Sequence, residues 1–172
     1  LHAGGRYYVI RDNSSIVLFV LGNKMPIESG FKIVGAHTDS PGLRIRPNGA
    51  TSSDGFARLG VEIYGGPILA TFADRDLSVA GRISFNSNEQ ILHKLVRFDQ
   101  PLLRLPNLAI HMNRGVNEDG LKFHKQNELP LLWGQLAESQ LPQPYWRELL
   151  ENAAGVEFNQ LASWDLAIFD TQ

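Results

Sequence analysis

The feature that most constrains this chain is its punctuation: short apolar segments, rich in β-branched and aromatic residues, recur between clusters of Gly, Pro, Asn, Asp and Ser. Segments of that length and period read as strands. Arg6 to Ile10 and Ile16 to Leu21 flank Asp12-Asn13-Ser14, which is hairpin chemistry. Phe31 to Ala36 predicts a buried strand. The stretch 48–55 is polar and glycine-bearing, and it reads as a linker or domain boundary. Beyond it, Leu59 to Tyr64, Gly81 to Phe85, Leu92 to Phe98 and Leu108 to Met112 alternate roughly with turn signals between them, as in a small barrel or sandwich. The period then changes. Leu129, Leu132, Trp133 and Leu136 recur at helical spacing, and Tyr145 to Ala154 repeats the pattern with Trp146, Leu149 and Leu150. Pro142 and Pro144 are expected to separate these two helices. Ser163 to Phe169 alternates again and predicts a returning strand. No internal repeat is visible.

Length admits one good domain or two small ones, since 172 residues with 43% hydrophobic side chains can bury a core. A formal charge of −2 gives no electrostatic case for nucleic acid or an anionic membrane. Zero cysteines exclude a disulfide framework and thiolate metal ligation, which leaves His, Asp and Glu as ligands. No apolar run reaches the ~18 residues of a membrane span, and no basic-then-apolar leader is present, so the expected address is the cytoplasm. The chain begins at Leu1 and its first methionine is Met25, so it is expected to be a piece of a longer protein.

Chemistry concentrates in Gly35-Ala-His-Thr-Asp-Ser-Pro-Gly-Leu-Arg-Ile45. If His37 continues the preceding strand, residues i and i+2 share one face, and His37 and Asp39 lie together. An imidazole that binds a metal through one nitrogen needs its other nitrogen held by a carboxylate or carbonyl. Ligand sites in open α/β sheets lie beyond the carboxyl ends of strands, where this pair falls. On its own, the triplet reads more often as a turn with an Asp cap, because Thr, Asp, Ser and Pro all favour turns. A serine-hydrolase triad of Ser40, His37 and Asp39 is disfavoured, because three sequence neighbours rarely converge and no Gly-x-Ser-x-Gly elbow exists. His111, in Asn107-Leu-Ala-Ile-His-Met-Asn-Arg114, falls on the outward face of the expected strand, and without context it is a surface histidine. Asp74-Arg75-Asp76 reads first as a solvated turn with a local ion pair.

Several segments together resemble the M18 aminopeptidases, the aspartyl aminopeptidase family. They are Gly5-Arg-Tyr-Tyr8 with Asn13-Ser-Ser15, the His37/Asp39 segment through Pro47, Gly60-Val-Glu-x-Tyr-Gly-Gly66, and Asp74-Arg-Asp-Leu77 with Ala80-Gly-Arg82. Pro106 to Arg114, Gln126-Asn-Glu-Leu-Pro130 and Asp170-Thr-Gln172 complete the series. The resemblance spans essentially the whole chain. One departure is the apolar run Leu69-Ala-Thr-Phe-Ala73, where the family commonly has tryptophans.

The resemblance implies an α/β fold: part of a zinc-peptidase α/β/α catalytic domain plus an inserted β-rich dimerisation domain, barrel- or sandwich-like and carrying helices. Residues 1–47 would be opening strands of the catalytic domain, 48–162 the insert, and 163–172 the strand returning to the catalytic domain. It also implies removal of acidic N-terminal residues from peptides by water activated between two divalent ions, zinc above all, in a homo-oligomer that is a dimer or an assembly of dimers. His37 would then be a metal ligand and Asp39 its catalytic neighbour. His111 would reach a metal centre across the dimer interface to hold metal or substrate. The family's remaining metal ligands lie beyond Gln172, so the chain alone is expected to be inactive. The competing reading is a non-catalytic dimerisation or assembly module.

Overall fold

The structure is a computed structural model that describes residues 1–137 and 140–172. The chain divides into two compact units, Leu1–Ser40 and Pro41–Gln172.

In the first unit, β1 (Arg6–Arg11) and β2 (Ser15–Val20) pair antiparallel from Arg6↔Val20 to Arg11↔Ser15. The turn is the one the sequence predicts. Ser14 N–H donates to Arg11 O (3.0 Å) across Asp12 and Asn13, whose φ angles are 50° and 52°. Two successive left-handed residues match the twist of a hairpin, and Asp and Asn tolerate that region better than other side chains. A single helical turn follows, α1 (Pro26–Ser29). The expected strand from Phe31 to Ala36 is absent: residues 31–41 pair with nothing in a ladder, and Ile33 and Val34 are 86% and 98% exposed. A strand exists only where a neighbour takes its backbone N–H and C=O groups, and among the described residues this segment has none.

The second unit is built on one six-stranded antiparallel sheet. Its strands are β3 (Gly42–Ser53), β4 (Phe56–Tyr64), β5 (Leu77–Ser87), β6 (Gln90–Arg97), β7 (Leu131–Gln135) and β8 (Leu161–Asp170). Their spatial order is β6-β5-β8-β3-β4-β7. The sheet also curls back on itself through residues 103–105. Leu103 bridges Leu77 at the start of β5, and Arg104 bridges Leu132 of β7, with Arg104 N–H to Leu132 O at 2.9 Å and the reciprocal bond at 2.8 Å. This gives the second unit a barrel-like closure, consistent with the β-rich half of the sequence expectation.

Four sequence expectations change here. The polar stretch 48–55 is not a linker: β3 runs through it to Ser53, and only Asp54-Gly55 turns the chain into β4. Its irregular composition is explained by a register shift between Ile45 and Ala50. There Pro47 cannot donate to a ladder, and Gly49 lies so close to Gly60 that a Cβ on Gly49 would sit 2.7 Å from the Gly60 carbonyl oxygen. The helix expected around Leu129 to Leu136 is instead β7, with Leu129 and Leu131 fully buried at strand spacing. Pro142 and Pro144 therefore separate no pair of helices; they occupy the first turn of α3 (Pro142–Ala154), where missing N–H groups cost nothing. The strand expected over Leu108 to Met112 is a pair of turns, followed by the short helix α2 (Val116–Asp119).

Burial explains how the unit holds together. Alternate residues of β3, β4, β5 and β8, among them Leu43, Leu59, Leu77, Val79, Ile83 and Leu166, form a single cluster. Helix α3 covers it with Trp146, Leu150 and Ala154, one stripe at i, i+4 and i+8. Trp146 meets Trp133 of β7 edge to face at 6.0 Å. Gly81 marks the tightest backbone approach, since a Cβ there would run into the Asp165 carbonyl and lie 2.9 Å from Leu166 Cα on β8.

Candidate metal-binding site

His37 and Asp39 lie in the unpaired segment after α1, so strand periodicity does not bring them together. A tight local fold does. His37 Nδ1 stands 2.9 Å from the Asp39 backbone carbonyl and 3.2 Å from Asp39 Oδ1. Both partners are acceptors, so the network assigns the imidazole proton to Nδ1 and leaves the lone pair on Nε2. The His37 side chain is 77% exposed, which leaves Nε2 accessible. The pair thus has the arrangement in which one ring nitrogen is oriented by a carboxylate while the other is free to bind.

His111 lies between two tight turns rather than in a strand. Met112 N–H donates to Ala109 O (2.8 Å) and Asn113 N–H to Ile110 O (3.3 Å). Its imidazole is exposed, as the sequence reading has it, but so are Leu108, Ile110 and Met112, which an alternating strand would have buried.

Asp74-Arg75-Asp76 departs most from expectation. Its ion pairs are long-range, not local: Arg75 Nη1 contacts Asp170 Oδ2 at 2.6 Å and Asp76 Oδ1 receives Arg104 Nη1 at 3.0 Å. Asp74, at φ 55°, is clasped by the chain that leads to His111. Its N–H donates to Leu105 O (2.9 Å), its carbonyl accepts from Arg104 Nη2 (3.0 Å), and its carboxylate accepts the Asn107 N–H (3.1 Å). The Asp76 carbonyl accepts from both the backbone N–H and the hydroxyl of Thr171. An exposed Asp in left-handed backbone is a turn signal; nothing in the local sequence announces partners this far away.

A model of the family described as aminopeptidase I zinc metalloprotease (M18) matches residues 1–172. The chain belongs to the M18 peptidase family. The probable M18 family aminopeptidase 2 of Pseudomonas paraeruginosa is 45% identical over 174 residues, which cover 99% of this chain and 40% of that protein. Among solved structures, the cryo-EM structure of the Ape4 and Nbr1 complex matches at 33% identity and TM-score 0.84, over 100% of this chain and 36% of that one. The S. cerevisiae mApe1 dodecamer matches at 25% identity and TM-score 0.73, over 98% and 37%. This M18 chain therefore spans about two fifths of the length of the curated relatives it matches.

The metal named for the family is zinc. The chain's donors fit it in kind: a carboxylate-oriented imidazole with Nε2 exposed at His37, and a second exposed imidazole at His111. Among the described residues, no three His, Asp or Glu side chains are grouped to hold an ion.

Proposed function

We propose that this M18 chain is the N-terminal part of a zinc aminopeptidase that removes acidic residues from the N-termini of peptides. The observation that carries the reading is the His37–Asp39 contact, which leaves Nε2 as the one ring nitrogen able to ligate. His37 would hold a metal through that atom. Asp39, by accepting the Nδ1 proton, would keep the ring in the ligating tautomer and raise its basicity. Bound zinc would supply Lewis-acid polarisation of the scissile carbonyl and a nucleophilic water at neutral pH. His111, on an exposed loop of the second unit, would serve the site of a neighbouring subunit, on metal or substrate.

The partition into residues 1–47, 48–162 and 163–172 belongs to the same proposal: catalytic domain, inserted dimerisation domain and return. β3 crosses the first boundary as a shared strand. A homo-oligomer is supported by the dodecamer of the mApe1 relative. A cytoplasmic address belongs to the same proposal; among the described residues no helix is long and apolar enough to cross a membrane. A zinc site uses at least three protein ligands, and here two candidates stand in separate units, so the 172-residue chain by itself is expected to bind zinc poorly and not to turn over substrate.

The test is metal content and hydrolysis of aspartyl and glutamyl substrates, on this chain and on a full-length M18 protein containing it. Zinc with turnover in the longer protein alone supports the proposal. A longer protein that assembles but holds no metal and hydrolyses nothing would replace it with the assembly-module reading.

A further inference from the structure

The loop that presents His111 has little beneath it. Past Leu105 it leaves the closing bridges of the sheet, its side chains at Leu108, Ile110 and Met112 are exposed, and Asn107, Leu108 and Asn113 border a cavity of about 300 Å³ instead of packed core. A loop so placed needs an anchor at its root, because few buried contacts mean easy local opening. The anchor is Asp74. One residue takes the Asn107 N–H on its carboxylate, gives its own N–H to Leu105 O and receives Arg104 on its carbonyl. Pro106 fixes φ between the two backbone bonds, and Asn107 Oδ1 takes the next N–H, that of Leu108, at 2.8 Å. The direction in which the chain departs toward His111 is thus set residue by residue from Leu105 to Leu108. The bond to the carboxylate is a directional contact from a backbone N–H at 3.1 Å, not a salt bridge between two flexible charged side chains, so it orients where a surface ion pair would not.

We propose that Asp74 is a positioning residue for His111: its carboxylate holds the root of the loop so that the imidazole is presented in one place. The proposal rests on the reading of His111 as a group that serves the peptidase site. The same turn also fastens the chain's last residues, through Asp76 with Thr171 and Arg75 with Asp170, so removing the Asp74 side chain alone separates the loop's anchor from that second attachment.

The experiment uses the full-length M18 enzyme. Asp74→Gly removes the acceptor while keeping a residue at ease at φ 55°, so the fold is retained and thermal melting checks that it is. Asp74→Asn keeps an oxygen at the accepting position without charge; Asp74→Glu keeps the charge but displaces the carboxylate. The expected result is a fall in kcat/KM on the order of 10- to 100-fold for Gly and Glu, with near-native rates for Asn. Asp74→Gly should also divide its effect between kcat and KM as His111→Ala does, and it should cost nothing further in the His111→Ala background. Additive losses, or an active Glu variant beside an inactive Asn variant, would overturn positioning in favour of a general structural or electrostatic role. If His111→Ala itself is silent, the reading of His111 fails first and takes the proposal with it. Full activity of Asp74→Gly beside an impaired His111→Ala sinks the proposal alone.

Discussion

A histidine becomes a usable ligand through what holds its other nitrogen. In this chain that holder has two parts: the Asp39 carbonyl at 2.9 Å from Nδ1 and the Asp39 carboxylate at 3.2 Å. They separate in a mutant. Asp39→Asn leaves the backbone carbonyl in place, so the tautomer survives, but it removes the negative charge that strengthens Nε2 as a donor. In the full-length enzyme we expect zinc affinity and turnover to fall roughly 10- to 100-fold, whereas His37→Ala should empty one metal position and abolish nearly all activity. Zinc stoichiometry by mass spectrometry, with titration against a chelator, reads both; unchanged stoichiometry in His37→Ala would remove it from the ligand set. This pair was legible in the sequence because its geometry is local, two residues apart. Asp74 was not, because its meaning lies in bonds to Arg104 and Asn107, and that of its neighbour Arg75 in a contact 95 residues away.

At the scale of elements, periodicity succeeded where one template fitted and failed where two did. The β1–β2 hairpin and α3 each match a single period with matching punctuation, Asp12-Asn13 at the turn and Gly155 in left-handed backbone closing the helix with its N–H on Glu151 O. The segment from Leu129 to Leu136 satisfies both helical spacing and strand alternation. Tertiary context decides it, because residues 103–105 present a backbone edge that Leu132 pairs with, and Pro130 and Gly134 are poor helix formers. A stability measurement distinguishes the two patterns. Leu131 is 0% exposed and belongs to the core cluster, so Leu131→Ala should destabilise by about 2–5 kcal/mol. Leu136, which a helix would place on the same stripe as Leu129 and Leu132, lies partly exposed beyond the end of β7. Leu136→Ala should therefore cost markedly less in chemical denaturation; equal losses would contradict the strand register.

For the molecule as a whole, the sharpest mismatch between sequence and structure is the segment 31–36. Its composition says buried strand, and its side chains stand in solvent: Phe31, Ile33 and Val34 are all largely exposed. Apolar runs with β-branched residues on both faces are characteristic of strands covered on two sides, as in the sheets of α/β domains. The second unit satisfies its own core and sheet without them. If the first 47 residues open a catalytic α/β domain, the partners of this strand belong to the part of the M18 protein that this chain does not span, and the segment should be covered only there. A thiol at position 34 tests this directly, since the chain has no cysteine of its own. In the 172-residue chain, Val34→Cys should react with a soluble thiol reagent at nearly the rate of a small-molecule thiol. In the full-length protein, with modification followed at that peptide by mass spectrometry, the same thiol should be protected by orders of magnitude, because access then requires opening of a sheet. Equal and fast labelling in both would mean that the segment is a surface loop in the complete enzyme, and that His37 and Asp39 do not stand at the end of a strand at all.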